Sequence, residues 1–121
     1  MRKLIAALCA LALFAPAALA ASHFVKVSPS TVKAGKTVRV FGSVGTGCGR
    51  TDPAIVFSRA FKGATKLDWA GVPALYLKQS KHGGFSARVT IRKAIKPGRY
   101  HVGGRCGGGN FGSATLKVTK P

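Results

Sequence analysis

The chain has few side chains that could support acid–base catalysis. Asp52 and Asp68 are its only acidic residues, and a glycosidase needs a pair of carboxylates held at a fixed separation. Asp52 falls in a loop and Asp68 in an irregular segment, and no pattern brings them together. We therefore expect Asp52 to be a turn or capping residue and Asp68 a surface counter-charge, and we predict that the chain is not an enzyme.

The cysteines are better suited to a structural role than to a catalytic one. Cys9 lies in the middle of an N-terminal apolar run and is expected to leave with a leader peptide. Cys48 and Cys106 then remain as each other's only partners, and the extracellular environment to which a leader peptide directs the chain favours disulfides. We predict that they are bonded, which also excludes a nucleophilic role for either thiol.

The first residues have the three parts of a secretory signal peptide. Arg2-Lys3 is a positive n-region, an apolar run covers 4–14, and Ala18-Leu19-Ala20 is a small-x-small cleavage site. The apolar run is too short for a membrane anchor. We predict a signal peptide at 1–20 and a single secreted, extracellular domain at 21–121, with attachment to the cell surface left open.

The cleavage site raises one metal-binding hypothesis. Cleavage after Ala20 would give a chain that begins Ala21-Ser22-His23. A free amine with histidine at the third position can bind Cu(II) or Ni(II) through a square-planar set of nitrogens. The Ala21 amine and His23 are therefore candidate copper ligands, whereas cleavage after Ala21 would abolish the site. No other cofactor is expected.

Most of the mature chain alternates apolar and polar residues, as half-buried β-strands do, and no apolar stripe has a helical period. Segment 62–79 is less regular, and we interpret it as one or two short strands that cross between sheets. About seven strands in about a hundred residues predict an all-β antiparallel sandwich. The alternating segments are 23–28, 37–44, 54–61, 85–91, 100–106 and 114–119.

Two residues break the alternation. Phe41 falls on the outward parity of its strand, so it requires a bulge or a covering loop. Arg59 shares a face with Ile55 and Phe57, which leaves the register of segment 54–61 uncertain.

The glycine-rich stretch 107–112 reads as a loop. Its Gly107-x-Gly109-x-x-Gly112 spacing formally matches a dinucleotide fingerprint, but the helix and the later acidic residue that the fingerprint needs are missing. Exposed amides in such a loop can form an anion nest, here beside basic side chains of two loops. The candidate ligand contacts are Arg50, Arg105, Gly107, Gly108, Gly109, Asn110 and Phe111.

Six short motifs follow one another over nearly all of the mature chain. They are Val27-Ser28-Pro29, Gly35-Lys36-Thr37-Val38-Arg39-Val40, Cys48, Phe85-Ser86-Ala87-Arg88-Val89-Thr90-Ile91, Pro97-Gly98-Arg99-Tyr100 and Cys106. In this pattern the chain resembles the small secreted immunoglobulin-like proteins of high-GC Gram-positive bacteria. The motifs are specific for a fold and not for a function.

The resemblance implies an immunoglobulin-like antiparallel β-sandwich. In that fold the second and sixth strands end near the same pole, which would bring Cys48 and Cys106 within bonding reach. Tyr100 resembles the tyrosine corner of the fold, although it precedes its cysteine by six residues rather than two. Because of this longer spacing, the expected disulfide lies at the end of its strand, next to a loop, and not in the middle of the core.

Positive charge is the strongest indication of function. The formal net charge is +18, with 20 Lys and Arg against two Asp, and it falls to +16 once Arg2 and Lys3 leave with the leader. Self-repulsion destabilises such a domain, so the excess favours attraction to a polyanion. Basic residues recur at outward strand positions: Lys26, Arg39, Arg88, Arg92 and Lys117.

We hypothesise a monomeric binding module that associates with anionic cell-envelope polymers or lipid head groups without spanning the membrane; solubility alone is the competing explanation of the charge. A small-ligand or copper carrier and a cationic antimicrobial protein are the alternatives. A carrier predicts an apolar cleft around Phe111 or Trp69, whereas envelope binding predicts salt-sensitive retention. Sequence-specific nucleic-acid recognition is not expected, because recognition helices and clustered exposed aromatics are missing from the pattern.

Overall fold

A computed structural model of the chain describes residues 23–46, 48–63, 69–107 and 109–121. The predicted signal peptide at 1–20, Ala21, Asp68 and Gly108 lie outside the described residues. Within these ranges the chain forms eight strands: β1 (Phe24–Ser28), β2 (Thr31–Lys33), β3 (Thr37–Ser43), β4 (Ala54–Phe57), β5 (Ala74–Leu77), β6 (Gly84–Thr90), β7 (Gly98–Cys106) and β8 (Gly109–Thr119). The same ranges contain no helix with the length and apolarity to cross a membrane.

The strands form two sheets. One sheet has the order β1-β3-β6 and the other the order β2-β8-β7-β4-β5. All neighbouring strands are antiparallel except β2 and β8, which are parallel. The prediction of an all-β fold is confirmed, and β1 lies at a sheet edge as predicted. Segment 62–79 contributes β5, the single strand that its described residues form.

The chain changes sheets between β1 and β2. Proline at position 29 cannot donate a ladder hydrogen bond, so strand pairing stops there. The Ser28–Pro29 peptide bond is cis, and the next residues pair in the other sheet. Strand β2 was not predicted, because three residues are too few for an alternation to be recognised.

The core consists of the inward residues of both sheets. Along β3, Val38 and Val40 are buried while Arg39 is exposed, and β8 alternates in the same way around Leu116 and Val118. These residues belong to one continuous cluster drawn from both sheets. The period of two therefore predicted which side of these strands faces the core.

Only the first half of the segment predicted as a strand, 54–61, is a strand in the structure. Strand β4 ends at Phe57, and the next residue, the buried Ser58, begins a turn. The Ala60 N–H donates to the Ser58 hydroxyl (3.2 Å), and the Phe61 N–H donates to the Ser58 carbonyl (3.2 Å). Phe61 thus returns to the core opposite Ile91, and Arg59 is exposed on the turn. The break in alternation at Arg59 reflects this turn.

The prediction of a loop at 107–112 is wrong from Gly109 onward, whereas Gly107 lies in a turn. Strand β8 begins at Gly109, and its pairing with β7 continues through Gly112 after a register shift between Gly104 and Arg105. Because the backbone of 109–112 belongs to this ladder, it does not form the predicted anion nest. Glycine is rare in strands, but Gly112 has a φ of +155°, which L side chains rarely adopt, and a Cβ there would lie only 3.2 Å from the Val25 nitrogen.

Position 104 of β7 is occupied by glycine because the core leaves no room for a side chain there. A Cβ at this position would lie 2.5 Å from Cε1 of Phe111 and 2.7 Å from Cγ2 of Val25. Both neighbours are buried, so they cannot move aside without disturbing other core contacts.

Gly104→Ala is therefore expected to lower the free energy of unfolding by about 1–3 kcal/mol through overpacking. Urea unfolding followed by circular dichroism measures the change. Gly109→Ala is the matched control, because a Cβ at Gly109 would meet nothing closer than the Cys106 carbonyl oxygen at 3.9 Å. Equal losses in the two variants would contradict the packing explanation.

Candidate anion-binding surface

A disulfide links the two sheets at one end of the molecule. Cys48 and Cys106 are bonded, with their Cα atoms 5.7 Å apart, which is a usual separation. Cys48 lies in the loop after β3 of the three-stranded sheet, and Cys106 is the last residue of β7 in the five-stranded sheet. The predicted pairing and its position at the loop end are both confirmed.

Asp52 stabilises the loop that carries Cys48. Its carboxylate oxygen Oδ2 accepts a hydrogen bond from the Gly49 N–H at 3.2 Å, and the Asp52 N–H donates to the Gly49 carbonyl. A Cβ on Gly107 would lie 2.9 Å from the same carboxylate oxygen. The carboxylate therefore lies between the loop at 48–53 and Gly107, and its hydrogen bond within the loop is the role of a turn residue that the sequence predicted for Asp52.

Gln79 joins a third segment to this loop. Its side-chain amide donates to the backbone carbonyls of Gly49 and Asp52, both at 2.8 Å. Gln79 lies in the segment 78–81, which leads from β5 toward β6 in the other sheet. The two hydrogen bonds hold this crossing against the loop at 49–52 and so fix the basic residues on both segments relative to each other.

Five basic side chains surround this crossing, and we call them the basic pole: Arg39, Arg50, Lys78, Lys81 and His82. All five are exposed. One depression of about 780 Å³ is lined by Arg39, Lys78 and Lys81, and a second of about 780 Å³ by Arg50, Lys81 and His82. Because Lys81 borders both, the two depressions form neighbouring parts of one cationic surface.

Phe41 contributes an aromatic surface to the first depression. The ladder between β3 and its neighbours is continuous, so the side chain points outward without a bulge. The guanidinium carbon of Arg39 lies 4.4 Å from the ring centroid, in the range of a cation–π contact. The Arg39 guanidinium thus covers part of the Phe41 ring, and this contact restrains the guanidinium at the rim of the depression.

The structure does not bring the predicted contact residues together. Arg50 belongs to the basic pole, but Arg105 lies on the outer face of the five-stranded sheet, where its guanidinium carbon is 5.4 Å from the Trp69 ring centroid. Phe111 is only 3% exposed and contacts Phe85 with ring centroids 5.4 Å apart. Phe111 is therefore a core residue and is removed from the candidate contacts.

The remaining predicted contacts lie at the β7–β8 hairpin. Gly107, Gly109 and Asn110 are exposed, and Gly108 lies outside the described residues. The Asn110 side-chain oxygen accepts a hydrogen bond from the Gly112 N–H at 3.0 Å. Asn110 thus stabilises its own strand.

Three residues of the basic pole were not predicted as contacts from the sequence: Lys78, Lys81 and His82. The basic run Lys78-x-x-Lys81-His82 is visible in the sequence. Its position beside Arg50 depends on the hydrogen bonds of Gln79, which no local pattern predicts.

His23 makes a contact that competes with the predicted copper site. Its Nδ1 lies 2.8 Å from the Phe111 carbonyl oxygen. Since a carbonyl oxygen is an acceptor, this nitrogen carries the proton and donates. Metal binding through Nδ1 would require this hydrogen bond to break. Among the described residues there is no group of three or more His, Cys, Asp or Glu that could hold a metal ion.

The chain has similar solved structures but no matching family model. No family model matches the chain, and no curated protein matches it in sequence. The chain is similar in structure to the alkylpurine DNA glycosylase AlkC of Pseudomonas fluorescens bound to DNA containing an abasic site analog, with a TM-score of 0.48 and 16% identity. That match covers 79% of this chain but only 29% of the glycosylase chain.

A second similar structure is an uncharacterized protein from Bacillus anthracis strain Ames. Its TM-score is 0.48 at 23% identity, and the match covers 82% of this chain and 85% of that one. Similarity at this level identifies neither a family nor a function for the chain.

Proposed function

We propose that this chain is a secreted immunoglobulin-like binding module whose basic pole attaches it to anionic polymers of the cell envelope. The observation that carries the proposal is the exposure of its positive charge. Every Lys and Arg of the described residues is exposed except Arg105, which is half-buried. Asp52 is the only acidic side chain in the same ranges, and its carboxylate is engaged in a turn.

The arrangement of the basic pole suits a polymer with repeated negative groups. Each Lys or Arg near an anionic surface contributes about 1 kcal/mol of attraction, so a single contact is weak and a cluster is needed. Lys78, Lys81 and Arg50 belong to segments that Gln79 holds together. Because their backbones are fixed relative to one another, less conformational entropy is lost when several of them bind one chain.

Two observations support the immunoglobulin-like part of the proposal. The sheet orders β1-β3-β6 and β2-β8-β7-β4-β5 describe two facing layers whose inward residues share one core. The Tyr100 hydroxyl donates to the Lys96 carbonyl in the turn that leads into β7. A tyrosine at this corner, bonded to backbone a few residues upstream, is a feature of that fold.

Retention on washed cells tests the envelope proposal. We expect most of the protein to stay bound at about 50 mM NaCl and to be released by about 500 mM, because the Debye length falls from above 10 Å to about 4–5 Å over that range. Immunoblotting of pellet and supernatant measures the release. Sucrose of matched osmolarity is the control and should release none.

Two outcomes contradict the proposal. Full release already at the lowest salt would show that the charge does not hold the protein on the cell. Full retention at the highest salt would show that contacts other than charge do so.

A further inference from the structure

We infer that the outer face of the five-stranded sheet binds single-stranded nucleic acid without sequence preference. In this arrangement a base stacks on the exposed His101 ring with Phe57 packed at its edge, and the flanking phosphates contact Arg59 and Arg99. The face is separate from the basic pole, and the inference does not depend on envelope binding.

A depression of about 470 Å³ on this face carries the inference. Phe57, Ser58, Arg59, Val72, Arg99, Tyr100 and His101 line it. The ring centroids of Phe57 and His101 are 6.3 Å apart, with the planes tilted by 54°. This places two aromatic surfaces side by side at the wall of an open depression.

Gly103 allows the two rings to lie close to the sheet. A Cβ at this position would be 2.6 Å from Cζ of Phe57 and 2.9 Å from Cε1 of His101. Any side chain there would therefore displace both rings. Phe57 pairs with Gly103 across β4 and β7, so the ring rests on the strand and keeps one surface toward the depression.

Basic side chains border the aromatic surface. Arg59 lies on the turn after β4 and Arg99 near the start of β7, and both are exposed. Lys117 pairs directly with Arg99 across β7 and β8. Like charges opposite each other repel, and an anion bound near this pair would relieve the repulsion.

A second aromatic position lies farther along the same face. Trp69 contacts the Arg105 guanidinium. On the neighbouring strand Ile55 pairs with Arg105 on one side and with Tyr76 on the other. Tyr76 is 38% exposed. Successive outward residues of a strand are about 6.6–6.8 Å apart. Aromatic and basic groups thus recur along the face, as they do in proteins that bind single strands by stacking and charge.

The lining favours single strands over other polyanions. Phosphate polymers have no ring to stack, and duplexes hide their base faces. Carbohydrates also stack on aromatics, but their hydroxyls are usually held by carboxylate and amide side chains, and none of the described residues that line this depression is Asp, Glu, Asn or Gln. Without such side chains base edges are not read, which agrees with the expectation that recognition is not sequence-specific.

Tryptophan fluorescence provides a direct test, because Trp69 is the only tryptophan in the chain. The exported protein is titrated with oligothymidylate of about 12 nucleotides, within the usual range for one small domain. Inorganic polyphosphate of matched charge and a duplex of the same length are titrated in the same buffer at about 100 mM salt. We expect oligothymidylate to quench Trp69 and to bind about tenfold more tightly than either comparator.

Variants distinguish stacking from charge. His101→Ala and Phe57→Leu are each expected to weaken oligothymidylate binding by about tenfold, while Phe24→Leu, an exposed phenylalanine of the other sheet, leaves it unchanged. His101 is exposed, so its variant remains informative if Phe57→Leu fails to fold. Arg59→Gln with Arg99→Gln should also weaken binding more than the charge-matched pair Lys26→Gln with Arg88→Gln.

The result that overturns the inference is equal affinity for oligothymidylate and polyphosphate, with no effect of the aromatic variants. Duplex binding as tight as single-strand binding also overturns it. The same titration is repeated with a variant in which Arg50, Lys78 and Lys81 of the basic pole are replaced by glutamine. Oligothymidylate should still quench Trp69 in this variant, because the proposed nucleic-acid site lies on the other surface.

Discussion

The double variant Cys48→Ala, Cys106→Ala is expected to unfold about 15–30 °C below the native protein. The disulfide closes a loop between residues 58 positions apart, for which the chain-entropy estimate is about 4 kcal/mol. In a domain of about a hundred residues, each kcal/mol shifts the midpoint by about 4–8 °C. Thermal unfolding followed by far-ultraviolet circular dichroism measures the shift.

The effect should be large because the bond connects the two sheets. Cys48 belongs to the loop that follows β3, and Cys106 ends β7 in the other sheet, where it is buried. Native protein treated with an excess of reducing thiol is the control and should reach the same midpoint as the double variant. A shift below about 5 °C in both samples would mean that the core alone holds the sheets together.

The sequence predicted those strands that have one buried and one solvated face. In β6, for example, Val89 is buried between the outward Arg88 and Thr90, and in β7 the inward set ends at Cys106. Apolar and polar residues alternate because one side of the strand is buried and the other is solvated. The pattern therefore predicts both where a strand lies in the sequence and which side of it faces the core. It does not identify which strands are neighbours, which depends on contacts between distant residues.

The errors occur where long-range packing determines the local structure. Segment 109–112 resembles a loop because glycine is rare in strands. Gly104 is nevertheless a strand glycine because the buried Phe111 and Val25 side chains leave no room for a Cβ, and Gly112 has a φ of +155° and lies against the backbone of Phe24 and Val25. At 58–61 the chain turns because the Ser58 hydroxyl and carbonyl accept two backbone hydrogen bonds. Neither cause can be recognised from composition or period.

The candidate surface was predicted only in part for a similar reason. The sequence identified Arg50, but Lys78 and Lys81 join it through the two hydrogen bonds from Gln79 to the loop at 49–52. Arg105 was expected beside Arg50, yet its parity in β7 is opposite to that of Cys106, so it faces outward over Trp69. The alternation of β7 in the sequence therefore already predicts that the Arg105 side chain faces outward.

Replacing Arg50, Lys78 and Lys81 together by glutamine is expected to weaken binding to inorganic polyphosphate by about two orders of magnitude. Three contacts at about 1 kcal/mol each correspond to this factor, since 1.4 kcal/mol is tenfold in affinity. Isothermal titration calorimetry measures the loss. Vesicles of phosphatidylcholine with phosphatidylglycerol, assayed by co-sedimentation, distinguish lipid head groups from phosphate polymers.

The control for this prediction removes the same charge from another surface. Lys26→Gln, Lys33→Gln and Arg88→Gln also replace two lysines and one arginine, all three exposed and none lining the two depressions of the basic pole. This variant should lose less than tenfold, because its loss reflects only the lower net charge. If the two variants weaken polyphosphate binding equally, attraction depends on total charge and the basic pole is not a binding site. A selective loss in the first variant would mean that the position of these three charges, and not their number, determines binding, so that the basic pole is the binding site.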